Sequence, residues 1–418
     1  MKNSESSRIM QTSRHVFLWV LYDFANSLVS IVFFLYFAQW IVIEQGFSDF
    51  AFNITFTIAA FLLLFTVPVS GYLLDKCVRR IIGLRYTTMF TVLFYGLCSL
   101  SAISNKNVLA LVFFTLGLYS YLLSFTFYTP LLQDIANLKH RGVVSGLGIA
   151  ANYVGQFVGL LIALPFSTKS LSIFGASGRA ETLLPSVGLF FLFSLPMLLL
   201  FKEPRMIPTR IISPLKEILW ETKQLFSYSS VTFFLAAYFL FNDAILTVSN
   251  NFPLFLEQVW HVSDTTKTYL LLASLTMCAI GGPVSGVLAD KFGHKKTLLV
   301  ILSGWVIFLP VLALITNFTW LVIATTIMGL WFGAVWTVSR SVMAYLAPQG
   351  KHNLAFAYFG LAERASSFVG PLAWGGVIAG LSYLGSDKYR IAVLAITGFM
   401  IIGVFMLAKV KSDRSVTA

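Results

Sequence analysis

Charge is what this sequence lacks. Only 11% of its 418 residues are Asp, Glu, Lys or Arg, far below what a water-soluble surface needs, so soluble enzymes and soluble binding modules are excluded. Cysteine is scarce too: Cys77, Cys98 and Cys278 form an odd set with neither metal-site spacing nor a disulfide framework. Neither a Walker A loop nor an H-E-x-x-H helix occurs, which argues against ATP-driven pumping and zinc hydrolysis. His15, His140, His261, His294 and His352 fall at the ends of apolar runs or in loops, leaving no buried histidine relay. No nucleophile or metal set marks an intramembrane enzyme, and no cofactor is expected.

What is there is apolar. Hydrophobic residues make up 57% of the chain and the mean hydropathy is +0.82. Runs of about 20 apolar residues are long enough to cross a bilayer as helices, and they lack the alternation of a β-barrel. The expectation is an all-α membrane protein with twelve transmembrane helices. They are placed at 16–43, 53–74, 82–103, 107–132, 142–165, 184–201, 229–256, 267–289, 297–316, 319–346, 354–381 and 390–409. Residues 1–14 read as a frayed polar start. The first run, Val16 to Ile43, is too long for a signal-peptide core and has no small-residue cleavage site after it, so it is expected to stay.

The net charge of +12 reports topology rather than nucleic acid. With the N-terminus inside, 22 of the 29 lysines and arginines fall in cytoplasmic segments, six fall in the opposite loops, and Arg364 lies within a span. The positive-inside rule then puts both termini in the cytoplasm, in a bacterial inner membrane. The segment Lys202 to Ser230 separates two bundles of six helices, giving domains 1–201 and 229–418 with a linker over 202–228. Ser213, Pro214 and the apolar spacing from Leu215 to Phe226 predict an amphipathic helix there. Ser167 to Pro185 reads as a flexible outer loop.

The halves repeat. Gly286-Val-Leu-Ala-Asp290-Lys291-Phe-Gly293-His294-Lys295-Lys296 has a weaker copy at Gly71 to Arg80, and Asp290 follows Asp75 at an offset of 215. Asp243 follows Asp23 at 220, and Phe-Val-Gly recurs at Phe157 and Phe368 at 211. Parallel six-helix repeats are a transporter architecture.

The 286–296 loop resembles the signature loop of the major facilitator superfamily. That resemblance implies two bundles rocking about a central cavity, with Asp290 meeting the helix start near Gly142 and Asp75 the one near Leu354. Asp75, Arg79, Arg80, Asp134, Asp290, Lys291 and Arg340 are the expected gating residues. A narrower resemblance rests on Trp19-Val-Leu-Tyr22-Asp23-Phe-Ala25-Asn26-Ser27 and on Arg340-Ser341 through Pro348 to Ala365-Ser366-Ser367-Phe368-Val369-Gly370-Pro371. Together they resemble the branch holding the autophagy-related vacuolar amino-acid effluxers and their bacterial relatives. Amino-acid export is what that resemblance implies.

Ionisable residues inside spans cost about 2.5–3.5 kcal/mol each at mid-helix, so Asp23, Asp243, Glu363 and Arg364 are candidates for function. Arg364 suits a carboxylate, held by paired charge-assisted hydrogen bonds, or else pins Asp23 or Asp243. Asp23 and Asp243 could carry protons, since burial favours the neutral carboxyl, or make interhelical hydrogen bonds. Asn26, Asn152 and Gln156 complete the expected substrate-binding set, with Tyr119, Tyr121, Tyr128, Tyr153, Trp331 and Trp336 as further lining groups. The reading is a secondary active transporter of a small polar or zwitterionic solute, with protons as coupling ion and the lipid bilayer as its surroundings. The alternatives are a drug or metabolite efflux pump and a non-transporting receptor.

Overall fold

A computed structural model describes residues 2–76, 79–135, 141–203, 220, 222–348 and 352–410. Among them, eleven helices are long and apolar enough to cross a membrane. The first, α1 (Lys2–Val32), reaches back well before Val16 and continues through π-helical turns at Phe33–Phe37 and Trp40–Glu44. It is followed by α2 (Asp49–Lys76), α3 (Arg80–Ile103), α4 (Asn107–Tyr128), α5 (Arg141–Ser167) and α6 (Gly178–Leu200). Then come α7 (Ser229–Trp260), α8 (Asp264–Phe292), α9 (His294–Leu314) and α10 (Phe318–Leu346).

The expected helix over 354–381 is two helices, α11 (His352–Ala365) and α12 (Gly370–Gly380), before α13 (Asp387–Lys409). Proline explains the interruption. Pro371 has no N–H for the carbonyl four residues back and biases Gly370 away from helical geometry, so the chain opens over 366–369 and restarts with proline in the first turn. Two other boundaries move because hydroxyls cap them. Ser177 accepts from Ala180 N (3.3 Å) and Ser263 from Thr266 N (3.3 Å), which starts α6 and α8 earlier than the apolar runs do. Gly293, at φ +95°, is the one residue between α8 and α9. Most of the expected linker helix, from Ser213 on, lies outside the described residues; Leu225, in a short helical stretch over 222–226, is buried.

The chain forms two compact units, one of residues 1–46 and 65–210, the other of 47–64 and 211–418. The first half of α2 thus clusters with the second unit. In the first unit α1 packs along α5, and α3 along α4. The α1–α5 approach is set by glycines: a Cβ on Gly155 would lie 2.3 Å from the Phe24 carbonyl oxygen, and one on Gly159 would lie 2.7 Å from that of Leu28. In the second unit α8 crosses α10 in the same way, with Gly281 against the Leu330 carbonyl, Gly333 against that of Cys278 and Gly329 against that of Ser274. There α7 packs along α13.

Candidate functional site

In the first unit the candidate residues gather on α1. Asp23 is half-buried, and its carboxylate lies beside Gly148 of α5, where a Cβ would come within 3.2 Å of Oδ2 and 2.6 Å of the Trp19 ring. Aromatic rings surround this acid. Trp19 stacks on Tyr128 at 4.8 Å, Tyr22 lies 5.0 Å from Tyr128, and Tyr22, Tyr121 and Tyr128 are all within electrostatic reach of Asp23. The rings are fixed by hydrogen bonds. Trp19 Nε1 donates to Tyr128 O (3.3 Å), and Tyr128 Oη donates back to Trp19 O (2.9 Å). Thr88 donates to Leu84 O (2.7 Å), so Tyr22 Oη is the donor in its 2.7 Å bond to Thr88. Asn26 is wholly buried beside Tyr22. On α5, Gln156 Nε2 donates to Asn152 Oδ1 (2.7 Å) across one turn, and both side chains are half-buried.

In the second unit the candidates gather at the break between α11 and α12. Asp243, fully buried, accepts from Gly370 N at 2.7 Å and so caps the start of α12, with Thr247 Oγ1 3.5 Å from its other oxygen. Its neighbour Asn242 serves the other end. The Asn242 amide donates to Glu363 O (3.2 Å) and Ser366 Oγ (2.5 Å), while its oxygen accepts from Trp336 Nε1 (2.9 Å). Arg364 sits in the last turn of α11 beside Glu363 and Tyr238, where a cation complements the carbonyl end of the helix. The Glu363 carboxylate lies 4.0 Å from Arg340 of α10, joining an expected substrate residue to an expected gating one.

The packing corrects one reading of the repeat. Gly159 and Gly370 are matched by the Phe-Val-Gly run, yet Gly159 faces Leu28 and Ile31 while Gly370 faces Asp243 and Thr247. Asp243 is therefore the counterpart of Leu28, at the same 215 offset as the signature loops, and Asp23 stands five positions before that match. Five residues of helix are about 7.5 Å along the axis, so the two acids do not occupy equivalent places.

The gating candidates divide. The side chains of Asp75 and Asp134, and the surroundings of Gly142, lie outside what is described, and with them both expected acid-to-helix-start contacts. Asp290, 81% exposed, lies 4.0 Å from His294 one turn on, and Lys291 is stacked over Phe292. Arg79 is exposed at the start of α3. The first two amides of α3, those of Arg80 and Ile81, donate to the two oxygens of Glu203 at 3.1 and 3.0 Å. Glu203 was not anticipated, although a lone acid in a basic segment is the signal a helix start calls for. Lys295 was missed as well: its Nζ donates to Ala408 O (2.9 Å) and to Val410 O, closing the end of α13. Trp331 packs on Gly304 of α9 and lines an apolar groove of about 480 Å³ with Val300, Ile307 and Phe308.

A further polar seam went unread because each residue in it is unremarkable alone. Asp49, Asn53, Thr57 and Phe61 recur every four residues on one face of α2. Asp49 accepts from Tyr389 Oη (2.8 Å), Asn53 and Asn251 exchange two amide bonds of 2.8 Å, Thr57 donates to Phe368 O (3.0 Å), and Phe61 stacks on Phe368.

Apolar helices in two units, built from six-helix repeats with a charged signature turn, define a major facilitator transporter, a multi-pass integral membrane protein. Solved structures carry the same fold. A point mutant of the nucleoside transporter NupG matches with a TM-score of 0.76 at 12% identity, over 95% of this chain and 99% of that one. A bacterial homologue of the human lysosomal transporter Spinster matches with 0.69 at 15% identity, over 96% of each chain. Residues 34–418 match the family described as "Vacuole effluxer Atg22 like", and the chain belongs to that family. The MFS-type transporter YxiO of Bacillus subtilis is 24% identical over 95% of both chains. Autophagy-related protein 22-2 of Neosartorya fischeri is 27% identical over 68% of this chain, which spans about half (52%) of that protein.

Proposed function

We propose that this transporter moves a small zwitterionic solute, amino acid-like, across a bacterial inner membrane by alternating access coupled to protons, with both termini cytoplasmic. The observation that carries the substrate class is the surrounding of Asp23. A half-buried carboxylate walled by Trp19, Tyr22, Tyr121 and Tyr128 suits a primary ammonium group, which gains both an ion pair and contact with aromatic faces. Asn26, Asn152 and Gln156 supply neutral polar groups on the same two helices, α1 and α5. Arg364, at the break in the second unit, suits a carboxylate. Glu363 and Asp243 orient that break in this reading. Asp75, Arg79, Arg80, Asp134, Asp290, Lys291 and Arg340 work the cytoplasmic gate.

Counterflow in proteoliposomes tests this directly. Vesicles loaded with a mixture of unlabelled amino acids are expected to accumulate at least one labelled amino acid. Asp23→Asn and Arg364→Lys are each expected to cut that accumulation by about tenfold or more, equivalent to about 1.4 kcal/mol. Retention of full flux by both variants would remove the site assignment, and flux of apolar cations instead of amino acids would favour an efflux pump. A substrate-dependent pH change inside lightly buffered vesicles reports the proton.

A further inference from the structure

The connection between α5 and α6 has the Ser and Gly content of a flexible tether, but it is bound at both ends. Residues 168–177 fold back on the last turn of α5: Thr168 N donates to Leu164 O, Lys169 N to Phe166 O, and Leu171 N and Ser170 Oγ both to Pro165 O, at 2.9–3.0 Å. From the other side, the carboxylate of Glu181, 1% exposed, accepts from Ser172 Oγ (2.7 Å), Ile173 N (2.7 Å) and Ala176 N (2.8 Å). Much of the loop's polar backbone is thus satisfied internally, while the side chains of Leu171, Ile173 and Phe174 are 46%, 60% and 47% exposed.

Three neighbouring apolar side chains held outward on a fixed backbone need a surface to meet. Position supplies it. The loop joins the ends of two membrane spans, 147–167 and 178–200, and its bonds to Pro165 keep it against the last turn of the first. It therefore continues the lipid-facing surface of those helices, where Leu161 and Leu192 are exposed. A backbone with its hydrogen bonds made internally can enter that zone at little cost. The connection in the matching place of the second repeat, between α12 and α13, has an unrelated sequence and the same property: Tyr383 is 77% and Leu384 36% exposed. Tyrosine is a residue of the membrane–water boundary.

We propose that loop 168–177 is an interfacial anchor. It seats Leu171, Ile173 and Phe174 among the headgroups and first acyl carbons of the leaflet on its own side of the membrane, with exposed Lys169 available to lipid phosphate. Glu181 is the residue that sets its shape.

The test is a nitroxide at Ile173→Cys in the full chain, with Cys77→Ser and the buried Cys98 and Cys278 left in place, in phosphatidylethanolamine–phosphatidylglycerol vesicles. Power saturation is expected to show collisions with oxygen exceeding those with a water-soluble nickel chelate by at least about threefold, and likewise at Tyr383→Cys. Adding Glu181→Gln is expected to lower that ratio and to narrow the spectrum. A 173 label that meets the chelate as freely as a label in water overturns the anchor. Shielding from both reagents overturns it too, and would replace lipid by a protein partner. An unchanged ratio in Glu181→Gln overturns the role given to that carboxylate.

Discussion

The two repeats carry the same Phe-Val-Gly run and part company at the next residue. Leu160 lets α5 continue, whereas Pro371 stops the corresponding helix and restarts it as α12. A second difference answers the first. The Leu28 backbone packs on the glycine in the unbroken copy, and the side chains of Thr247 and Asp243 pack on it in the broken one, where Asp243 accepts the freed amide of Gly370. Proline and aspartate are thus one device on two helices. An exposed helix start in an apolar interior needs an acceptor, and the acceptor is found only where the start exists. Asp23 lies off this match, beside Gly148 of α5 rather than at the break.

The largest effect should come from copying half the device into the first unit. Leu160→Pro breaks α5 with no carboxylate to receive the freed amide, and is expected to cost about 3 kcal/mol or more, read as loss of folded protein on size-exclusion chromatography. Next is the reverse. Asp243→Leu is expected to lower stability by about 2–3 kcal/mol in a thermal melt, by stranding the Gly370 amide. Adding Pro371→Leu is expected to restore a good part of it; a double variant no better than the sum of the singles would separate the two residues. Asp23→Asn sharpens the contrast: in the counterflow assay transport is expected to fall by about tenfold, or about 1.4 kcal/mol. The smallest change belongs to Glu363→Gln. Its ion pair with Arg340 is partly solvated at 4.0 Å, so the loss should stay below about 1 kcal/mol in the same melt.

How much of this could be read in the residues follows from what kind of signal each feature leaves. Apolar runs and the bias of Lys and Arg are summed over many positions, so the spans and the repeat were legible from Val16 to Lys409. The break at 366–369 left a single letter, Pro371, inside an otherwise helical apolar run, and the run outweighed it. Glu181 falls in the expected loop Ser167 to Pro185, and Lys267 at the very edge of its expected span, because hydroxyl caps at Ser177 and Ser263, rather than hydropathy, decide where α6 and α8 begin. Lys267 is in fact wholly buried, bonded to Glu257 (2.6 Å) and Asp264 (2.7 Å). The α2 seam could not be read at all, since Asn53 and Asn251 are 198 positions apart and neither hints at the other. Asp23, Asn26 and Arg364 were legible as candidates because charge and amide in a lipid-facing composition are rare. Which of them holds a structural bond was not, because that depends on a neighbour brought by folding.

Gly293 has a consequence for how the chain is made. With one residue between Phe292 and His294, α8 cannot settle in the bilayer and wait for α9 to follow by a separate route. The two are expected to enter lipid together, as a hairpin with a basic corner of Lys291, Lys295 and Lys296. Any residue with a Cβ at position 293 would strain that corner at φ +95°, so substitutions there are expected to show first as failed insertion in the nascent protein rather than as altered transport by the finished one.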